Sequence, residues 1–174
     1  QWLEAVKAMV RKGIEIGLDG FNATHHYESF CHCQHCCEYV RSYLPTRLEE
    51  EQLHRIFGSA DLEQVSDPFT AKSDCPEDLQ ARLELLLSQG AVLRRKESFD
   101  EIFTQYGRAL KPGLLLAQWY HKYDFKPIDE RCLLPKELWA KGEDYIWYSQ
   151  GRHKWGSSLS QGYLADMGLP SRFM

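Results

Sequence analysis

Apolar residues recur at helical spacing from the start of the chain, at Trp2, Val6, Met9, Val10 and Ile14, and Gly17 follows as a helix stop. Leu18 to Ala23 reads as a short strand entered directly from that helix. A helix over Gln34 to Tyr43 ends before Pro45. Thr46 and Glu49 have capping-box spacing, so a helix over Arg47 to Ile56 follows and Gly58 ends it. Ser59 to Asp74 is polar and irregular, with Pro68 inside it, and reads as an excursion loop. Pro76 suits a first helical position, and Leu79, Leu83, Leu86, Leu87, Val92 and Leu93 mark a long helix after it. Phe99, Ile102, Phe103 and Tyr106 prolong its apolar face, while Ser98 and Glu101 form a second capping-box pattern that would divide it in two.

Lys111-Pro112-Gly113 breaks the helical pattern. Leu114 to Tyr120 is a continuous run of strand length, as expected of a strand buried on both faces. Pro135 to Ala140 reads as a short helix and Tyr145 to Ser149 as a third strand. The residues after Gln150 are rich in Gly and Ser, with one short helical pattern over Leu159 to Met167. Strands separated by helices predict parallel pairing in chain order through right-handed crossovers. That order fits a doubly wound sheet or part of a (β/α)8 barrel. No glycine-rich phosphate loop follows a strand, which argues against nucleotide binding.

Composition narrows this little. The 174 residues suffice for one domain, and a hydrophobic content of 43% is that of a globular chain. A net charge of -4 gives no reason to expect nucleic acid, and no apolar run reaches membrane-spanning length. The chain opens on Gln1 inside an amphipathic pattern and reads as a fragment of a longer protein. The oligomeric state is not legible.

The chemistry concentrates between Gly17 and Cys37. Cys31, Cys33, Cys36 and Cys37 follow one another too closely for a disulfide framework, and thiols at these intervals read as metal ligands, with zinc expected. Such thiols persist best in a reducing, cytoplasmic compartment. Cys31, Cys33 and Cys36 supply three ligands; Cys37, His35 or His32 would be a local fourth, Cys75 or Cys132 a distant one. The zinc would be structural. His25, His26 and Glu28 lie just past a strand's C-terminal end, where parallel α/β folds build their sites. Glu28 could act as acid or base, and the histidines as proton shuttles or ligands for hydroxyls. Trp119, Tyr120 and His121 close the second strand and Trp147, Tyr148 and Ser149 the third. Flat rings at strand ends match the face of a sugar ring. Asp19 reads as a structural residue, Arg94-Arg95-Lys96 as a solvated helix end, and His54, His153 and Glu143 as surface residues.

Asp19-Gly20-Phe21-Asn22, then Cys31-His32-Cys33-Gln34-His35-Cys36, then Tyr39, Arg41 and Leu44, resemble the (β/α)8 glycoside hydrolases of the family 42 β-galactosidase type. Gly142 to Ser149 is similar to a later barrel strand of such proteins. The resemblance implies a partial (β/α)8 TIM barrel with parallel strands and long helices, in which these strands are the fourth to sixth. It also implies a fourth zinc ligand upstream of Gln1. The family's Asn-Glu acid/base pair falls on Asn22-Ala23, so the acid is absent at that position, and the nucleophile's strand is not in this chain. The expectation is a glycoside hydrolase-like protein that hydrolyses or binds a carbohydrate. Glu28, His25 and His26 would be its catalytic candidates. Asn22, Trp119, His121 and Tyr148 would meet the sugar, with His25 and Glu28 joining them in one concavity and Asn22 at its floor. One alternative is a non-catalytic relative with zinc as its staple, and another a metal-dependent hydrolase using the Cys/His cluster to activate water.

Overall fold

The computed structural model describes residues 2–23, 30–121 and 142–149, with the backbone alone for 118–121 and 145–149. The chain divides into two compact units, one of residues 1–27 and 93–174, the other of residues 28–92.

The first unit is built on a three-stranded sheet. Helix α1, Trp2–Glu15, leads into strand β1, Gly20–Ala23. β1 starts two residues later than the apolar run predicts. Gly17, at φ +97°, turns the chain out of α1 while the Leu18 amide still donates to the Gly13 carbonyl. Strand β2, Leu115–His121, pairs in parallel with β1 on one side and with β3, Tyr145–Ser149, on the other, giving the order β1-β2-β3. Phe21, Ala23 and Leu116 share one face of this sheet. That face packs against Phe99 and Phe103, with Ile14 of α1 and Leu114 completing the core. α1 comes so close that a Cβ on Gly13 would stand 2.7 Å from the Phe21 ring. The other face carries Leu115, 46% exposed, and Asn22, also exposed, among the described residues.

The second unit is helical. It holds α2, Gln34–Tyr43, a 3-10 turn at Leu44–Thr46, α3, Glu50–Phe57, and the first part of α4, Glu77–Phe99. Its core is Val40, Leu44, Leu48, Leu53, Ile56, Leu62, Leu79, Leu83 and Leu86. Glu49, not Thr46, caps α3, in a reciprocal box with Gln52. The Thr46 hydroxyl is already given to the Tyr43 carbonyl in the turn that Pro45 opens. Gly58, left-handed at φ +82°, ends α3. The Arg41 guanidinium donates to the carbonyls of Leu62 (3.0 Å) and Val65 (2.8 Å), fixing the start of the irregular stretch that follows α3.

The (β/α)8 expectation is corrected here. The described residues are mostly helical, and their strands form one open sheet in which β1 and β3 have no further strand partner. A (β/α)8 barrel takes eight parallel strands, each βα repeat using about 30 residues. Here the chain spends residues 24–114 between β1 and β2, largely on the second unit. Alternation of strand and helix is common to open and closed sheets and does not separate them.

Three further expectations are corrected. The helix does not divide at Ser98, whose hydroxyl donates back to the Arg94 carbonyl at 2.9 Å and is not free to cap. α4 instead continues into a π-helical segment, Asp100–Gly107, and a last turn, Arg108–Leu110. Lys96 is not solvated and Glu143 is not a surface residue. Both are buried, and the Lys96 ammonium donates to Glu143 (3.1 Å) and Asp100 (2.8 Å). Asp144 beside them accepts from Arg108 (2.8 Å) and from the Leu116 amide (2.7 Å). Gly142, at φ +96°, lets the chain pass where a Cβ would stand 2.8 Å from the Thr104 hydroxyl. Three consecutive residues thus fasten the entry to β3 onto the helix and onto β2. The expected helices at Pro135–Ala140 and Leu159–Met167 lie outside the described residues.

Candidate metal centre

Cys33 is the residue before the first turn of α2, with extended backbone at φ -76° and ψ 161°. The helix therefore starts at Gln34 and places Cys36 three residues on, above Cys33 on the same face. Cys31 precedes the helix and folds back over it. Its sulfur lies 3.0 Å from that of Cys33 and 3.2 Å from that of Cys36. All three sulfurs lie within 4.8 Å of one another.

Cys37 comes one residue later, about a quarter-turn around the helix. Its thiol points instead to the His32 carbonyl, at 3.9 Å. His35 is exposed beside Glu38, 3.6 Å away. His32 lies against the Phe69 ring, centroids 4.4 Å apart, with Nδ1 3.9 Å from the Asp67 carboxylate. Cys75 faces the Pro76 carbonyl at 3.5 Å. Among the described residues, then, the expected set of Cys31, Cys33, Cys36 and Cys37 reduces to the first three, and no fourth donor joins them.

Ionisation reflects the crowding. The Cys33 thiol is pulled down to about 7, first by the Cys31 thiol and then by the backbone amide of Cys36 at the helix start. The Cys36 thiol is pushed up to about 12, first by burial and then by its two sulfur neighbours. The same crowding thus pushes the Cys33 and Cys36 thiols in opposite directions. A bound cation removes that conflict, because it stabilises every thiolate at once. The donor set fits zinc. Three soft thiolates on a tight turn suit it, and opening the 3.0 and 3.2 Å separations by roughly 0.6–0.8 Å gives the roughly 3.8 Å edge of a tetrahedron with Zn–S near 2.3 Å.

The loop carrying Cys31 is braced by aromatic rings. Phe30 packs on Tyr39 (5.7 Å) and Phe69 (5.8 Å). Asp67 holds Phe69 in place by accepting its amide at 3.0 Å and the Thr70 hydroxyl at 2.8 Å. The Phe69 amide holds the Asp67 carboxyl below its ordinary range, with the Thr70 hydroxyl and His32 acting the same way. Gly90 of α4 leaves room for this brace, since a Cβ there would stand 3.0 Å from the Tyr43 ring and 3.3 Å from Phe30. The polar composition of Ser59 to Asp74 gave no sign that this stretch supports the cysteines; Phe69, an aromatic residue amid polar ones, is the signal that could have found it.

The expected carbohydrate residues fare differently. His25, His26 and Glu28 lie outside the described residues. The register pairs Asn22 with Ala117, Trp119 with Trp147 and His121 with Ser149. Asn22, Trp119 and His121 therefore share the sheet face opposite the core, whereas Tyr148, paired with Tyr120, belongs to the other face. One concavity lined by Asn22, Trp119, His121 and Tyr148 together does not follow from this register. Asp19 accepts from Lys111 at 2.7 Å in an exposed ion pair.

No protein-family model, curated protein or solved structure matches this chain, so the resemblance to the family 42 β-galactosidases gains no support from comparison. No helix among the described residues is long and apolar enough to cross a membrane.

Proposed function

We propose that residues 28–92 form a zinc-stapled unit in which Cys31, Cys33 and Cys36 bind one structural Zn²⁺. The observation that carries this reading is the convergence of three sulfurs within 4.8 Å at a helix start. The metal would tie the segment before α2 to its first turn, a link otherwise made by the contacts of Phe30 and His32. Substrate chemistry at the metal is not part of this reading. The test is metal analysis of the chain purified under reducing conditions. About one zinc per chain is expected, lost in Cys31→Ser and Cys36→Ser and kept in Cys75→Ser. Zinc-free protein that folds normally would refute it.

A second reading is favoured by the sheet register. Asn22, Trp119 and His121 share one face toward the C-terminal end of parallel strands, where a flat ring, an imidazole and an amide would suit a polyhydroxylated ligand. On this reading the chain binds a carbohydrate there. Calorimetric titration with mono- and oligosaccharides tests it, with Trp119→Ala expected to abolish any heat observed and Tyr148→Phe expected to leave it unchanged. Equal loss in both variants would count against the assignment of faces.

A further inference from the structure

We infer that Cys31 and Cys36 form a peroxide-oxidised pair whose joining expels the metal, so that the zinc site is also a reversible oxidation site. The inference rests on the metal reading for the expulsion and on the sulfur geometry for the bond. Cys31 is the hub of the cluster, 3.0 Å from one sulfur and 3.2 Å from the other, and it is exposed. Those separations are about 1 Å longer than a disulfide bond, so little movement joins the sulfurs.

The chemistry needs a hydroperoxide as oxidant. The Cys31 thiolate attacks one peroxide oxygen; an S–O bond forms, the O–O bond breaks, and hydroxide leaves to be protonated to water. The Cys36 sulfur then attacks the Cys31 sulfur. An S–S bond forms, the S–O bond breaks, and the departing hydroxide takes a proton from solvent and leaves as a second water. Two electrons have passed from two sulfurs to the peroxide. With two of three ligands consumed, the cation is released.

Cys36 is the partner for a steric reason. A bond between Cys31 and Cys33 must close over one intervening residue, which strains it and leaves it open to attack. The Cys31–Cys36 bond closes over four, and any first-formed bond to Cys33 relaxes to it by exchange within the cluster. Cys37 is left out because its thiol faces the His32 carbonyl.

The experiment takes the whole 174-residue chain, reduced and freed of reductant, and adds one equivalent of hydrogen peroxide. Zinc release is followed with a metallochromic dye and bonds are mapped by mass spectrometry of a non-reduced digest. Release of about one zinc per chain with a Cys31–Cys36 bond, reversed by phosphine and zinc, is expected. The same result is expected in Cys37→Ser and Cys75→Ser. Zinc retained after oxidation, a final bond to Cys33, Cys37 or Cys75, or unchanged thiols would overturn the inference. A reduced chain containing no zinc would refute the metal reading instead, and the bond map would still decide whether Cys31 and Cys36 are the oxidised pair.

Discussion

In the cysteine loop three sulfurs meet within six residues of chain, while in the first unit the Lys96 ammonium meets the Glu143 carboxylate across 47 residues. Both bring ionisable groups into a confined space. The loop does it by local geometry, a turn and a helix start, and leaves its groups partly open to solvent. The clamp at Lys96 does it by burial, with Lys96 2% exposed and Glu143 7%. The difference decides what each tolerates. A local cluster can exist before its metal arrives, because its thiols adjust their protonation. The buried ammonium depends instead on its carboxylates being in place.

The sharpest way to break this contrast is Lys96→Met. It leaves the Glu143 carboxylate buried without its ammonium and is expected to destabilise the protein by about 3–5 kcal/mol in denaturant melts. Lys96→Met with Glu143→Leu should recover most of the loss; if the pair is no better than the single change, burial of charge is not what costs stability. Next in size is Cys36→Ser. It should weaken zinc affinity by at least about 100-fold, or roughly 2.7 kcal/mol, in competition with a chromophoric chelator. Proteolysis between residues 30 and 37 should become faster, with the Lys96 clamp unaffected.

Phe69→Ala is a smaller test. The ring is half-buried against Phe30 and His32, so its removal should cost about 1–2 kcal/mol and loosen zinc about 10-fold without touching a ligand. Unchanged affinity would mean that the aromatic brace does not position Cys31. The mildest is acidification. The Asp67 carboxyl is held below its ordinary range chiefly by the Phe69 amide. Its contribution is therefore full above the unfolded value of about 4 and is lost as pH falls through the lower folded value. Asp67→Asn should flatten the acid limb of a stability profile in that window, and an identical limb would remove Asp67 from the account.

The same contrast governs what could be read from the chain. α2 occupies the expected Gln34 to Tyr43 and β3 the expected Tyr145 to Ser149, and the three strands are parallel in chain order. These features depend on punctuation within a few residues, such as Pro45 after α2 and Gly142 before β3. The convergence of Cys31, Cys33 and Cys36 was legible for the same reason, and the departure of Cys37 follows from the helical step that carries it past the others. Lys96 was not legible from its basic neighbours. Its position in the row Val92, Lys96, Phe99, Phe103 puts it on the buried stripe, but Glu143 enters only through the fold. Nor can the face of Tyr148 be read from its strand alone, since it is fixed by the pairing of Ala117 with Tyr145.

The way the two units divide the chain has a consequence for the order in which they form. Residues 28–92 are continuous, whereas the first unit must bring Gly20 beside Leu115. Closing a flexible loop of that length costs on the order of 4 kcal/mol in chain entropy. During synthesis the helical unit is complete before β2 has been made, and its contacts close shorter loops than the pairing of Gly20 with Leu115, which favours earlier formation. β1 must wait for β2. Pulse-labelled hydrogen exchange on refolding protein should therefore protect α3 amides such as Leu53 before those of Phe21 and Leu116, and simultaneous protection would show that the two units form together.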